Sequence, residues 1–68
     1  MKIAIGNDHA GFALKAGIVA AITANGGEVV DCGAYTLDPN DDYPDFAAEV
    51  ARAVIDGRAE RGVLVCGS

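Results

Sequence analysis

The chain has 68 residues, of which 51% are hydrophobic, and a formal net charge of −5. This length allows one small domain, which would bury only about 60% of the surface that its unfolded chain exposes. Nucleic-acid binding is disfavoured because lysine and arginine form no basic patch. No apolar stretch approaches the roughly 20 residues of a membrane helix, and the N-terminus lacks the pattern of a secretory signal. We therefore expect a globular, cytoplasmic protein.

Three continuous apolar runs predict buried β-strands over residues 2–6, 28–31 and 62–66. Apolar residues at helical spacing predict one helix over residues 11–25 and a second from about 42 to 56. Apolar strands that alternate with helices are typical of a parallel sheet with right-handed crossovers. In a doubly wound arrangement the first strand is central, so the predicted strand order is 2-1-3.

Each predicted helix has an apolar stripe. On the first helix Lys15 is expected on another side, and Gly26 with Gly27 favours a left-handed helix end. On the second helix Pro44 suits the first turn, and Gly57 is expected to end the helix. The first stripe contains Leu14, Ile18, Ala21 and Ile22, and the second contains Phe46, Ala47, Val50, Ala51 and Val54.

Polar residues follow two of the predicted strands at the point where each strand ends. Asn7–His9 come after the first strand, and Cys66–Ser68 come after the third. In open parallel sheets, ligands bind beyond the carboxyl ends of the strands, where the winding reverses. In a 2-1-3 sheet that point lies between the first and third strands. The two polar segments are therefore predicted to meet at a crevice.

The turn after the first strand carries a carboxylate and an imidazole, those of Asp8 and His9. Gly6 and Gly11 are spaced as in a phosphate loop, but Phe12 stands where nucleotide-binding Walker sequences need lysine. Backbone N–H groups at a helix N-terminus favour anions, and His9 could donate to a phosphate or a sugar hydroxyl. In the alternative interpretation His9 is a partly exposed turn residue and Asp8 caps the helix.

Two cysteines are present, Cys32 after the second strand and Cys66 after the third. The central strand would hold them roughly 9–10 Å apart, too far for a disulfide. Neither lies in a CxxC motif or near clustered histidines, so no zinc site is predicted. Cys66 is either a small apolar filler or a reactive thiol that faces the N–H groups of Gly67 and Ser68. We interpret Cys32 as structural.

The loop before the second helix is rich in aspartate and ends at Tyr43. The Tyr43 phenol could cover the crevice or pack on the second helix. We interpret Asp38, Asp41 and Asp42 as solvated loop charges, because a calcium loop would need a glutamate at its twelfth position.

Three ordered motifs resemble the ribose-5-phosphate isomerase B and galactose-6-phosphate isomerase family. They are MKIAIGNDHAGF at residues 1–12, DYPD at residues 42–45 and CGS at residues 66–68. The resemblance implies a Rossmann-like, three-layer α/β/α fold and a phosphosugar substrate. It also implies that no metal or other cofactor is needed, and that a homodimer or a dimer of dimers shares its active sites.

The resemblance also assigns roles to residues. Asp8 and His9 match the family's substrate-binding pair, and Tyr43 matches a tyrosine that lines the sugar site. Cys66 matches the base that moves a proton between C1 and C2 through an enediol, although some branches use a glutamate elsewhere. A glycine-rich anion hole for the enediolate begins at Gly67–Ser68, where Ser68 stands in place of a common threonine.

Family members are considerably longer than this chain, and Asn7 stands where serine is common. Their ring-opening histidine and phosphate-binding arginines would lie beyond position 68. A buried strand that feeds a small-residue turn should also lead into another element. We therefore expect residues 1–68 to be the N-terminal part of a single isomerase domain, inactive alone. The alternatives are a non-catalytic α/β remnant that serves in assembly or binding, and a thiol redox protein, which lacks support because there is no CxxC motif.

Overall fold

The computed structural model describes residues 1–67, so Ser68 lies outside the described residues. Strands and helices alternate along the chain, and the three strands form one parallel sheet in the order β2-β1-β3. The predicted Rossmann-like fold class and strand order are thereby confirmed. The elements are β1 (Lys2–Asn7), α1 (Phe12–Ala24), β2 (Glu28–Asp31), α2 (Tyr43–Ile55) and β3 (Arg61–Val65).

The central strand β1 is the most buried part of the sheet. Its residues from Ala4 to Asn7 are all buried, because β2 and β3 pair with it on either side. Ala4 is paired with Val30 of β2 and with Gly62 of β3. Such a strand must be apolar on both faces, which explains why its sequence does not alternate between apolar and polar residues.

Helix α2 packs closely on one face of the sheet. Val50 and Ala53 form a buried cluster with Ala4 and Ala59. A Cβ atom at Gly6 would lie 2.7 Å from Cγ2 of Val50, so the absence of a side chain at this position allows the close approach. The N-terminus of α2 follows the prediction, since the Asp42 side chain accepts a hydrogen bond of 2.9 Å from the Tyr43 N–H.

The apolar stripe of α2 is only partly as predicted. Val50 is buried, but Ala51 and Val54 are exposed, and Ala53 is buried in their place. The physical reason is that the C-terminal half of α2 lies over β3, one of the two edge strands among the described residues. Ala51 and Val54 line an apolar groove together with Gly62 of that strand, and no described element covers its outer side.

Helix α1 departs further from expectation. Lys15, predicted on another side from the apolar stripe, is 8% exposed, whereas Leu14 is 64% exposed. The reason is an ion pair: the Lys15 ammonium group contacts the Asp31 carboxylate and also donates to the carbonyl of Ala34, at 3.3 Å. These partners turn the Lys15 side of the helix toward the end of β2.

Both helices end as predicted. Gly26 and Gly57 have φ angles of +84° and +80°, the left-handed conformation that terminates helices. Each helix has 13 residues. Within residues 1–67 no helix combines the length and the apolar character needed to cross a membrane.

Candidate active site

The carboxyl ends of β1 and β3 meet directly. Asn7 is paired with Val65, and the N–H of Asp8 donates a hydrogen bond of 3.3 Å to the carbonyl of Val65. The turn that follows β1 packs against the same carbonyl, because a Cβ atom at Gly11 would lie only 2.2 Å from it. The backbone of Asp8 therefore lies beside the residue that precedes Cys66, as the strand order predicts.

Asp8 closes the turn between β1 and α1. Its side chain is buried, and its Oδ1 atom accepts a hydrogen bond of 3.0 Å from the N–H of Gly11. This contact closes the turn before α1, whereas the N-cap residue of the helix is Gly11, which no side chain caps. The alternative in which Asp8 is the N-cap of α1 is therefore wrong, although its carboxylate stabilises the turn that leads into the helix.

His9 is held by a residue of the loop before α2. The Oδ1 atom of Asp41 lies 2.8 Å from the backbone N–H of His9 and 2.9 Å from the Nδ1 atom of its ring. The Asp41 side chain is only 10% exposed. Our interpretation of Asp41 as a solvated loop charge is therefore wrong. No pattern in the sequence signals this contact, because its two partners lie 32 residues apart.

The electrostatic surroundings of His9 favour the imidazolium form. The hydrogen bond that the His9 ring donates to Asp41 raises the pKa of His9, an effect that partial burial opposes and that the charges of Asp41 and Asp8 reinforce. The ring remains 40% exposed. Among residues 1–67 its Nε2 atom has no hydrogen-bond partner. His9 thus presents one ring nitrogen to the surroundings while the other is held.

Asn7 is the last residue of β1 and is fully buried. Its main chain is paired with Gly33 and Ala34, and its Nδ2 atom donates to the carbonyl of Asp8 at 3.0 Å. Within the described part of the chain, the Oδ1 atom of Asn7 and the Oδ2 atom of Asp41 are buried acceptors without a donor. Because buried polar atoms are nearly always paired, these two atoms mark the region around the Asp8–His9 turn as unusual.

The two cysteines have opposite surroundings. Cys66 is a free, exposed thiol directly after β3, and Gly67 next to it passes so close to Ala10 that a Cβ atom would lie 2.3 Å from the Cβ of Ala10. Cys32 is half-buried against the core cluster, and burial raises the pKa of its thiol. Of the two thiols, that of Cys66 is the exposed one. The predicted role of Ser68 lies outside the described residues.

Tyr43 begins α2 and is 42% exposed. It follows Asp41 by two residues, so the hydrogen bonds between Asp41 and His9 tie the start of α2 to the turn after β1. Packing on α2 does not bury Tyr43, and its phenol remains available at this end of the sheet.

The sequence model of the family described as Ribose/Galactose Isomerase matches residues 3–68. This chain belongs to that family. Ribose-5-phosphate isomerase B of Escherichia coli is 46% identical to it over 67 residues, which are 98% of this chain and 44% of that protein. The resemblance stated from the three sequence motifs is therefore confirmed.

Two solved structures of relatives are closely similar to this one. Ribose-5-phosphate isomerase B of Clostridium thermocellum has a TM-score of 0.91 at 44% identity, with 100% of this chain and 45% of that chain covered. The structure of ribose-5-phosphate isomerase B from Mycoplasma genitalium with bound ribulose-5-phosphate has a TM-score of 0.86 at 42% identity. The match covers 97% of this chain and 44% of that chain. The chain thus spans less than half the length of these relatives.

Proposed function

We propose that these residues form the N-terminal part of a sugar-phosphate aldose–ketose isomerase that interconverts ribose 5-phosphate and ribulose 5-phosphate or a related pair. One observation carries the proposal: the Asp8–His9 turn and the segment that begins at Cys66 meet at the β1–β3 end of the sheet, in a chain of this family. Ribulose-5-phosphate in the Mycoplasma genitalium relative supports the choice of substrate class.

In the proposed reaction Cys66 is the base. Its thiolate removes the proton from C2 of the aldose, the C–H electron pair forms the C1–C2 double bond, and the carbonyl oxygen at C1 takes up the negative charge. The proton of the O2 hydroxyl then passes to O1, and the O2 electron pair forms the C2 carbonyl. The C1–C2 electron pair takes the proton of the thiol at C1, which gives the ketose and restores the thiolate. A proton transfer of this kind requires a base positioned on the C–H bond and needs no metal or other cofactor.

The developing enediolate needs donors at fixed positions. The Gly67 N–H is proposed as one of them, together with Ser68, because preorganised donors stabilise charge that appears in the transition state. Gly67 packs closely against Ala10 of the turn after β1, and this packing restricts the motion of the Gly67 N–H. Small residues at this position also allow a substrate to approach the main chain.

The remaining proposed contacts bind the sugar phosphate. His9 donates from Nε2 to an anionic or hydroxyl oxygen, Tyr43 lines the sugar site with its phenol, and Asp8 holds the turn that carries His9. The net charge of −5 repels a phosphate dianion, so local donors must overcome it. His9 is the one histidine of the 68 residues, and its imidazolium form adds a positively charged donor next to the phosphate.

Residues 1–67 alone offer too few partners for a phosphate dianion. Strong phosphate binding uses several charge-assisted hydrogen bonds, and His9 with the turn amides supplies few. We therefore propose that the active isomerase also uses residues beyond this segment of the domain, and that it is a homodimer or homotetramer whose subunits share active sites. The 68-residue chain by itself is expected to be inactive.

The test is turnover of ribose 5-phosphate by the full-length protein that carries these residues. Replacement of the base, Cys66→Ala, should lower turnover by roughly 10²–10⁴-fold and leave substrate binding largely unchanged. The matched control Cys32→Ala removes the other thiol and should change turnover hardly at all. Near-normal turnover of Cys66→Ala would overturn the cysteine mechanism. Absence of turnover in the unmodified full-length protein would instead favour the assembly or binding module.

A further inference from the structure

The contact between His9 and Asp41 joins residues 32 positions apart through a single oxygen. Both the main-chain N–H and the ring Nδ1 of His9 lie within 3 Å of Oδ1 of Asp41, at 2.8 and 2.9 Å. The pair of contacts fixes the backbone and the ring of His9 at once. A histidine bonded through its main chain alone would be free to rotate about its side-chain bonds.

The chemistry of the acceptor defines the state of the ring. A carboxylate oxygen accepts hydrogen bonds and cannot donate them, so Nδ1 of His9 must carry the hydrogen. The Nε2 atom is then an acceptor in the neutral ring and a donor in the imidazolium ring. In residues 1–67 no side chain or carbonyl engages Nε2, and the ring is 40% exposed. This nitrogen is therefore left for a ligand.

Asp41 is not needed for the local structure of its own loop. The adjacent Asp42 caps α2 through the N–H of Tyr43, and Asp38 accepts from the N–H of Asn40. Burial of a carboxylate is costly unless the charge is paired and hydrogen-bonded. Asp41 nevertheless has a side chain only 10% exposed, and its Oδ2 atom is buried without a donor in the described part of the chain. Its burial is explained by His9 rather than by the loop.

We propose that Asp41 is a positioning residue for His9: it fixes the Nδ1–H ring orientation and stabilises the imidazolium, so that Nε2–H donates to the anionic group of the sugar phosphate. The proposal rests on the proposed isomerase for the identity of the ligand, but not for the His9–Asp41 contact itself. Asp41 does not touch the ligand in this arrangement; it acts through the ring.

The proposal has a pH dependence with a defined sign. The charged groups that act on His9 are Asp41 and Asp8, and both favour its protonated form. Anion affinity should therefore be high at acidic pH and should fall as pH rises through the pKa of His9. Removal of the Asp41 charge should shift this fall in affinity to lower pH, because the ring then loses its proton at a lower pH.

The test uses the full-length protein and the variant Asp41→Asn, which keeps the shape and an acceptor oxygen but removes the charge. Sulfate serves as the anion, because it remains a dianion over the whole range. The titration of the His9 ring by NMR should move to lower pH in the variant. The dissociation constant for sulfate should rise about three- to tenfold at pH 7.5, because the neutral ring presents an acceptor at Nε2 where the imidazolium presents a charged donor. At pH 5.5 it should be nearly unchanged.

The matched control is Asp38→Asn, which removes one charge from the same loop and can still accept from the N–H of Asn40. Asp38 is not among the groups that raise the pKa of His9, so the control should leave both the ring titration and the sulfate affinity unchanged. Equal loss of sulfate affinity at pH 5.5 and pH 7.5 in Asp41→Asn, or an unchanged His9 titration, would overturn the proposal. Neither readout requires turnover, so failure of the isomerase assignment would be seen separately.

Discussion

The ends of β2 and β3 differ sharply although both strands stop beside β1 and both are followed by a cysteine. Beyond β2 the chain stays bonded: Gly33 and Ala34 exchange main-chain hydrogen bonds with Asn7, at 2.7 and 2.9 Å. Lys15 of α1 then covers this segment through Asp31. Beyond β3 the Asp8–Val65 hydrogen bond is followed by the exposed residues Cys66 and Gly67.

For the proposed function, the difference makes the β1–β3 end of the sheet the accessible one. On the β2 side, main-chain pairing continues past the strand and a buried lysine fills the space. On the β3 side, main-chain polar groups of small residues remain accessible next to the His9 turn. In open parallel sheets, ligands bind where the winding reverses, which here is between β1 and β3. The end of β2 is the other possible position, and it is covered by Lys15 and by the continued main-chain pairing. The same residue type, cysteine, is consequently core filler at one end and a reactive candidate at the other.

The largest effect is expected from a change at the β1–β3 end of the sheet, where the turn after β1 packs on Val65. Gly11→Ala would place a Cβ atom 2.2 Å from the carbonyl oxygen of Val65, a main-chain atom that cannot move alone. We expect a loss of up to about 3 kcal/mol in the free energy of unfolding, measured by urea titration of the full-length protein. The control Gly17→Ala has nothing within 4 Å and should stabilise α1 by about 0.5–1 kcal/mol. Equal effects at both glycines would contradict the close packing of the turn on β3.

A smaller effect is expected when the end of β2 loses the side chain of Lys15 that covers it. Lys15→Met keeps the aliphatic length but leaves the Ala34 carbonyl without its side-chain donor, which should cost about 1–2 kcal/mol in the free energy of unfolding. Asp31 is 45% exposed and can be hydrated, which limits the loss. The control Lys2→Met alters an exposed lysine and should be nearly neutral. If both variants had the same stability, Lys15 would not be the cover of the β2 end.

The difference between the two thiols can be measured by alkylation. Iodoacetamide should modify Cys66 severalfold faster than Cys32, because Cys66 is exposed whereas burial raises the pKa of Cys32 and reduces its thiolate. Mass spectrometry of peptides at short reaction times gives both rates in one sample. A bound phosphosugar should slow the reaction at Cys66 only. Preferential modification of Cys32 would contradict the view that the β3 end of the sheet is accessible and the β2 end is covered.

The sequence predicted the sheet well because strand burial is a local property. A continuous apolar run such as that around Ala4 is compatible with few positions other than the centre of a parallel sheet, and Gly26 or Gly57 marks a helix end by its own backbone preference. Residues of the site that depend on contact between neighbouring strands, Asp8 and Cys66, were therefore also placed correctly. Their chemical roles remain proposals.

The sequence did not reveal contacts made by charged side chains with distant partners. Helical periodicity counts Lys15 as a surface residue, and its burial depends on Asp31, which is 16 residues away. In the same way Asp41 lies in an aspartate-rich loop that resembles solvent-exposed sequence, and its partner is 32 residues distant. Neither pairing leaves a periodic signal, so only the fold brings it into view.

The His9–Asp41 contact also makes the loop before α2 sensitive to protons. A folded-state pKa above the ordinary value of 6.5 means that the contact contributes its full stabilisation below that value and loses it as pH rises through the folded-state pKa. Release of the proton from His9 and detachment of the loop at Asp41 are therefore thermodynamically linked. An anion that binds the imidazolium would oppose both, so ligand capture and attachment of the loop would reinforce each other.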